Sequence, residues 1–370
     1  MNFDYSDEQK MLKDQARKFL SERCTGSQVR QVLDAADRSY DSELWKGVAE
    51  LGWLGVAVPE RFGGLGQGRV ELCAIAEELG RACAPLPFAS SIYGAAEALQ
   101  LVGSPEQKEQ WLPRIANGEA IGTLAFVERL GPLESRSIDT SVAAEKISGV
   151  KRAVIDGDIA HFGIVLAKDG GALSLFLVNF NSSAVRRTKV STLDPTRSVA
   201  DIEFAGAAAE RLGDTGDGMK LVEAIYDRMA VYLAFEQIGG ADRCLEMAID
   251  YAQQRFAFGR SIASYQAIKH KLANMYAKNQ IARSNAYFAA WALNTEAKEL
   301  PLAAATARVA ACDAYWFAAK ENIQVHGGMG FTWAADCHLY YRRSRQLGLA
   351  IGTARVWRER LVQHLSASAA

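Results

Sequence analysis

The 370-residue sequence lacks the cysteine and histidine spacing on which metal sites and disulfide frameworks depend. Its six cysteines are scattered, with no C-x-x-C pair, and this argues against both a structural zinc site and a set of disulfides. The five histidines show no metal-ligand spacing either. We therefore expect no bound metal and a reducing environment such as the cytoplasm.

The sequence also has little net charge and no long apolar run. Lys and Arg number 42 against 43 Asp and Glu, so no strong field is available to attract nucleic acid. The opening MNFDYSDEQKMLKDQARKFL is too polar for a signal peptide, and no run is long enough to span a membrane. We predict a soluble cytoplasmic protein that binds neither nucleic acid nor a membrane.

Several common catalytic signatures are missing as well. The sequence has no G-x-x-x-x-G-K-[ST], and no G-x-G-x-x-G follows a strand, so neither a P-loop nor a Rossmann fingerprint is present. H-E-x-x-H and G-x-S-x-G are also absent. These absences argue against metalloprotease and serine-hydrolase chemistry.

What the sequence does contain is a change of hydrophobic period along the chain. Apolar residues recur at helical spacing up to about residue 117, after a capping box at Ser6 and Gln9. The runs HFGIVLAK and ALSLFLVNF flank DGG and predict a β-hairpin. Four long helical segments then follow, which predict an antiparallel bundle. These segments are 217–255, 262–296, 302–325 and 335–365.

The fold class predicted from this order is α+β and mostly α, in three domains. They are an N-terminal helical domain at 1–118, a middle antiparallel β domain at 119–210 and a C-terminal four-helix bundle at 211–370.

Two stretches of the bundle indicate a phosphate-bearing cofactor. In YAQQRFAFGRSIASYQAIKHKLANMY, Arg255 supplies a fork that can bind phosphate, and Phe258 and Gly259 supply a ring and a flexible backbone. In QVHGGMGFTWAAD, Gln324 is followed by Gly327 and Gly328, which allow the backbone to approach a ligand closely. Glycines after a helix are also common caps, so an ordinary C-cap is the alternative for any one of these residues.

These two stretches, together with PERFGGLG at 59–66 and the helical–β–helical order, resemble the acyl-CoA dehydrogenase flavoproteins. The resemblance implies FAD bound between subunits of a tetramer and reoxidised by electron transfer flavoprotein. It also implies that the bundle motifs reach the adenosine and pyrophosphate half of a neighbouring subunit's FAD. The cofactor-binding residues implied are Arg255, Phe258, Gly259, Gln324, Gly327, Gly328 and Thr353.

The sequence departs from this family where the catalytic base should be. The family removes the α-proton of an acyl-CoA thioester with a carboxylate, which an apolar side chain cannot replace. The two usual base positions are occupied by Ile351 and Met229. Glu236 is the nearest carboxylate on the first bundle helix, and we expect it to have a structural role. The flavin-ring motifs of the β domain are also altered, with Val127, Arg129 and Ala153 in place of threonine, proline and tryptophan.

The pattern of retained and lost motifs resembles the base-less subunit of heteromeric α2β2 bacterial acyl-CoA dehydrogenases. The resemblance implies a partner subunit that carries the carboxylate, and it favours a bulky, steroid-type acyl-CoA as substrate. One alternative is a self-sufficient homotetrameric dehydrogenase or oxidase with a relocated base such as Glu236. The other is a non-catalytic scaffold subunit that binds no flavin.

Overall fold

The computed structural model describes residues 5–35 and 37–369 of the chain, with side chains as far as residue 366. It separates into two compact units. The bundle unit contains the described residues up to Val29, Arg69–Ala84 and the residues from Ala230 onward. The sheet unit contains Arg30–Gly68 and Pro85–Met229. Among the described residues, no helix is long and apolar enough to cross a membrane.

Helices lie on both sides of the strands along the chain, as predicted. The first of them, α1, begins at the predicted capping box, where Ser6 Oγ accepts from Gln9 N at 3.2 Å and Gln9 Oε1 accepts from Ser6 N at 2.9 Å. A π-helical turn at Ser91–Ala96 joins α5 to α6. The helices before the sheet are α1 (Asp7–Arg23), α2 (Gly26–Leu33), α3 (Ser42–Glu50), α4 (Arg69–Arg81), α5 (Phe88–Ser90), α6 (Glu97–Val102) and α7 (Pro105–Ala116).

The helices that follow the sheet form the greater part of the bundle unit. They are α8 (Gly218–Gln254), α9 (Gln266–Asn294), α10 (Leu300–His326), α11 (Cys337–Leu349) and α12 (Ala354–Ala369). The prediction of one continuous helix over 335–365 was wrong, because the chain turns between α11 and α12. Gly352 has φ +103° there, a backbone conformation that a helix cannot contain.

One seven-stranded sheet lies in the sheet unit. The predicted hairpin is confirmed: β4 and β5 pair antiparallel, and Gly170 and Gly171 between them have the positive φ angles of a tight two-residue turn. The sheet is mixed rather than wholly antiparallel, because β4 also pairs in parallel with β1 and β2. The strands are β1 (Gly122–Ala125), β2 (Ser141–Ala143), β3 (Lys146–Ile155), β4 (Phe162–Asp169), β5 (Ala172–Asn179), β6 (Val185–Lys189) and β7 (Val199–Leu212).

In the bundle unit, α4 crosses α8 with almost no space between the two backbones. A Cβ atom built on Gly80 would lie 1.8 Å from the Glu236 carbonyl oxygen, and one built on Gly239 would lie 1.8 Å from the Glu77 carbonyl oxygen. Only glycine fits at either point, since backbone atoms cannot move aside as a flexible side chain can. The crossing therefore places the N-terminal helix α4 directly on the C-terminal bundle.

Ion pairs surround this crossing. Glu77 is buried and lies 2.7 Å from Lys13 Nζ on α1 and 2.9 Å from Arg283 Nη1 on α9. Burial alone would raise the pKa of the Glu77 carboxyl, but Arg283 and Lys13 outweigh it and lower that pKa. The Arg283 guanidinium also pairs with Asp242 on α8. These contacts join α1, α4, α8 and α9 around one buried carboxylate.

We predict that Gly239→Ala lowers the free energy of unfolding by about 3 kcal/mol, because the added methyl group collides with the α4 backbone. Gly348→Ala is the matched control: Gly348 also lies in a helix, but nothing lies within 4 Å of its built Cβ. That substitution should stabilise the protein by about 0.5–1 kcal/mol. Urea unfolding of both variants provides the measurement, and equal midpoints would contradict the tight crossing.

Candidate functional site

The first bundle motif forms a small hairpin just after α8. The two-residue strands β8 (Phe256–Ala257) and β9 (Arg260–Ser261) pair antiparallel around Phe258 and Gly259. Both turn residues have positive φ, +52° for Phe258 and +77° for Gly259. Phe258 is 96% exposed. An aromatic residue held in a strained backbone conformation with its ring in solvent suggests a binding role outside the chain's own core.

Contacts at the base of this hairpin hold it in place. Tyr265 Oη donates to the Ala257 carbonyl oxygen at 3.0 Å, and its ring centroid lies 4.1 Å from the Arg260 guanidinium carbon. Ser261 Oγ donates to the Ala252 carbonyl oxygen at 2.8 Å. The turn is therefore fixed to the end of α8 even though its tip is exposed.

The second motif forms the carboxyl end of α10. The helix ends at His326, where the Gly327 amide donates to the Gln324 carbonyl oxygen. A 3-10 turn follows at Gly327–Phe331. No atom beyond the chain neighbours lies within 4 Å of a Cβ built on Gly327 or Gly328, and Gln324 is exposed. These residues serve as a cap, and they also leave an open strip of backbone.

The structure brings the two motifs together. Tyr251, one turn before Arg255 on α8, stacks on His326 with ring centroids 4.2 Å apart and ring planes at 26°. An ion pair also links α9 to α10 near this stack: Lys271, close to the start of α9, pairs with Glu321, close to the end of α10. Six of the seven predicted cofactor residues thus lie at one end of the bundle.

The chemistry of this surface suits a dinucleotide. Arg255 is exposed, and in the described part of the chain no carboxylate pairs with its guanidinium. α8 and α10 both end here, and their carboxyl ends disfavour phosphate through the helix dipole. A phosphate group would therefore need nearby cations, and Arg255, Arg260 and Lys269 are all exposed on this side of the unit. With these cations, the open backbone at Gly327 and Gly328 and the exposed Phe258 ring form a surface that fits FAD through charge, close backbone approach and an apolar contact.

Thr353 does not lie with the other six residues. It follows Gly352 in the turn between α11 and α12, and this turn is held through other contacts. Trp357 Nε1 donates to the Ile351 carbonyl oxygen at 3.1 Å, and Arg308 on α10 donates to the Leu347 carbonyl oxygen. Arg308 is 18 positions before His326, or about 27 Å along the helix. The turn that carries Ile351 and Thr353 is therefore distant from the two motifs.

The positions expected for a base are apolar and buried. Ile351 is 4% exposed in the bundle unit, and Met229 is 3% exposed at the end of the sheet unit. Glu236, the remaining carboxylate candidate, is completely buried. Its Oε1 lies 3.4 Å from Nη1 of Arg343, which is buried as well. With its side chain completely buried and paired with Arg343, Glu236 has no exposed surface at which a substrate could meet it.

In the sheet unit, the stretch that departs from the flavin-ring motif is held by internal contacts. Glu128 accepts from Lys151 Nζ at 2.6 Å, from the Asp139 amide at 2.6 Å and from the Thr140 amide at 3.1 Å. Burial lowers the pKa of Lys151 to about 8 despite the Glu128 charge. Val127 and Ala153 provide no side-chain hydroxyl or ring for a flavin. The described residues therefore fit the adenosine and pyrophosphate half of FAD better than its isoalloxazine half.

Three residues that hold the site or the expected base positions in place were not predicted from the sequence. Tyr251 lay within the quoted motif, and its i,i+4 spacing to Arg255 was the signal that could have singled it out. Arg308 and Arg343 gave no such signal, because Arg308 is a lone arginine in an alanine-rich helix and Arg343 is one of three arginines in the run RRSR. Their burial follows from helix packing that periodicity alone does not determine.

Comparisons with known proteins show the family of this chain. The model of the acyl-CoA dehydrogenase N-terminal domain matches residues 6–119, and that of the C-terminal domain matches residues 216–366. The acyl-CoA dehydrogenase IpdE2 of Mycobacterium tuberculosis is 33% identical over 339 residues, which cover 91% of each protein. The chain belongs to the acyl-CoA dehydrogenase family, and the resemblance to this family is confirmed.

Solved structures of related proteins agree with this assignment. The ChsE4-ChsE5 complex from Mycobacterium tuberculosis contains a chain 27% identical to this one, with a TM-score of 0.89 and 99% of both chains covered. A variant of the Tcur3481-Tcur3483 steroid ACAD contains a chain 26% identical, with a TM-score of 0.88, covering 98% of this chain and 99% of that one. The homologues support an oxidoreductase that acts on acyl-CoA.

Glu236→Gln should lower the free energy of unfolding by about 3 kcal/mol, because it leaves the buried Arg343 charge without its counter-ion. Turnover of acyl-CoA by the assembled enzyme should persist at temperatures where the variant is folded. Thermal unfolding and initial rates, measured on the same preparation, separate these effects. A stable variant without turnover would instead support a relocated base.

Asp156 directly follows strand β3 and is completely buried in the sheet unit. Burial raises its pKa to about 6, with Arg197 acting in the opposite direction, and Ser90 Oγ donates to its Oδ2 at 2.6 Å. Between its ordinary pKa of 3.8 and 6, the folded protein keeps a proton that the unfolded chain releases. This contribution to stability is therefore complete at low pH and is lost as the pH rises through that range.

Asp156→Asn should remove this loss. As the pH rises from about 4 to about 7, the free energy of unfolding of the parent protein should fall by about 3 kcal/mol more than that of the variant. Urea unfolding of both proteins across that range is the measurement. Parallel stability curves would show that Asp156 titrates normally in the folded protein.

Proposed function

We propose that this chain is a subunit of a FAD-dependent acyl-CoA dehydrogenase in which a second, unlike subunit supplies the catalytic carboxylate. The two chains would form a heterotetramer, with electron transfer flavoprotein as the electron acceptor. The observation that carries this proposal is the exposed surface formed by Arg255, Phe258, Gly259, Gln324, Gly327 and Gly328. These residues are ordered by their own helices, yet their binding groups face away from the chain's core.

The exposure of these groups supports binding to a cofactor held largely by another subunit. When bound, FAD would supply the hydride acceptor for dehydrogenation of the acyl group. Arg255 would neutralise the pyrophosphate, Gln324 would donate to it, and the glycine backbone of Gly327 and Gly328 would approach it closely. Phe258 would cover an apolar part of the cofactor and exclude water there.

The absence of a carboxylate at both base positions supports a catalytic partner. Proton abstraction next to a thioester needs an acceptor within hydrogen-bond reach, which Ile351 and Met229 cannot provide. In the substrate region this chain would contribute shape rather than acid–base chemistry. Neither position carries a polar group, which suits a bulky, apolar, steroid-type substrate.

Two relatives strengthen the case for unlike subunits. ChsE4-ChsE5 is a complex of two differently named proteins, and the steroid ACAD Tcur3481-Tcur3483 likewise carries two protein names. The buried Glu236–Arg343 pair disfavours a self-sufficient enzyme with Glu236 as base. A scaffold that binds no flavin would give no reason for a strained, exposed Phe258 beside an unpaired Arg255.

The test is the visible absorption of the chain purified alone and after co-expression with a dehydrogenase-family partner. We expect a colourless chain alone and about one FAD for each pair of unlike chains. Arg255→Ala in the complex should weaken FAD binding about 10- to 100-fold, as expected for a lost charge-assisted hydrogen bond.

Arg355→Ala is the matched control, because Arg355 is also an exposed arginine of the bundle unit but lies on α12. It should leave FAD binding unchanged. A yellow chain that turns over acyl-CoA on its own would refute the shared site. Equal FAD binding by the Arg255→Ala complex and its parent would refute the role of this arginine.

A further inference from the structure

We propose that the stacked pair Tyr251–His326 is a positioning element that holds the two cofactor-facing motifs in one arrangement. The inference rests on the proposed function, since FAD is the group that these motifs would bind together. It assigns His326 a role through packing rather than as an acid, a base or a nucleophile.

The pair is the terminal contact of a continuous seam between α8 and α10. A Cβ built on Gly240 would lie 2.5 Å from Tyr315 Cζ, so the two helices are in close contact there. Asn322 Nδ2 lies 3.9 Å from Met247 Sδ further along the seam. Tyr251 lies one turn beyond Met247, and His326 lies one turn beyond Asn322, so the ring pair closes the seam where both helices end.

The His326 ring is fixed from both sides. Its Nδ1 lies 2.8 Å from the Asn322 carbonyl oxygen, and because a carbonyl oxygen can only accept, Nδ1 is the donor. The Tyr251 ring packs against the imidazole as the second constraint, with 4.2 Å between the two ring centroids. Asn322, which accepts this bond, is itself completely buried. The imidazole is thus tied to the rigid part of α10.

Each ring is linked by backbone to one binding motif. The Arg255 amide donates to the Tyr251 carbonyl oxygen at 2.9 Å, so Tyr251 sets the start of the hairpin motif. His326 directly precedes Gly327, whose backbone forms the second motif. Loss of either ring would leave both motifs folded, but the distance between the two motifs would no longer be fixed. A ligand that contacts both motifs would therefore bind more weakly.

The experiment uses the complete complex, stripped of flavin and titrated with FAD by fluorescence. His326→Ala and Tyr251→Ala should each raise the Kd about five- to tenfold, the size expected for one aromatic pair. The double variant should be no weaker than the worse single variant, because both changes remove the same contact. His326→Phe keeps a planar ring and should bind FAD within about twofold of the parent.

Tyr341→Ala is the matched control. It removes a different aromatic contact, between α10 and α11, where the ring centroids of Trp316 and Tyr341 lie 5.1 Å apart. It should lower the Tm of the flavin-free complex without changing the Kd. If His326→Ala fails to fold, His326→Leu, which keeps apolar bulk without a ring, replaces it and should show the same weakening.

Four outcomes would overturn the proposal. Unchanged FAD binding in both single variants would show that the stack positions nothing. Additive losses in the double variant would show that the two rings act independently, and a His326→Phe complex as weak as His326→Ala would show that stacking of a planar ring positions nothing. A parent complex that takes up no FAD at all would overturn the proposed function, and this inference with it.

Discussion

The bundle unit depends on one constraint, the backbone contact of α4 with α8 at Gly80 and Gly239. Because no side chain separates the helices there, the peptide groups next to Glu77 and Glu236 are brought into the centre of the unit. Glu77 is consequently buried and must be neutralised, which Lys13 and Arg283 achieve from α1 and α9. The ion pairs are thus a consequence of the close crossing, and they determine which helices can join it.

The same crossing explains why Glu236 is a poor candidate for a base. Its carbonyl oxygen faces Gly80, so its backbone is fixed at the most crowded point of the unit. Its side chain meets Arg343, which also donates to the carbonyl oxygens of Cys83 and Ala84 just after α4. A residue that joins three segments in this way stabilises the core. A catalytic base needs contact with substrate, and nothing in this packing provides it.

The sequence predicted those parts of the fold that depend on local patterns. The capping box at Ser6, the β4–β5 hairpin and the long helices all follow from nearby residues. The parallel pairing of β1 and β2 with β4 could not be predicted, because strands of three or four residues are too short to show a period. The break at Gly352 was missed because a single glycine within a helical pattern is tolerated elsewhere, as at Gly348.

For the candidate site, the sequence supplied the residues but not their arrangement. Arg255 and Gln324 were both chosen from motifs, whereas their proximity results from a seam of side chains that includes Met247, Asn322 and the Tyr251–His326 stack. Thr353 was predicted as a cofactor residue without a predicted position, and about 27 Å of α10 separate its turn from the other six residues. In a bundle, helix length decides which motifs meet: two motifs at the ends of neighbouring helices form one surface, and a turn at the far end lies apart from it.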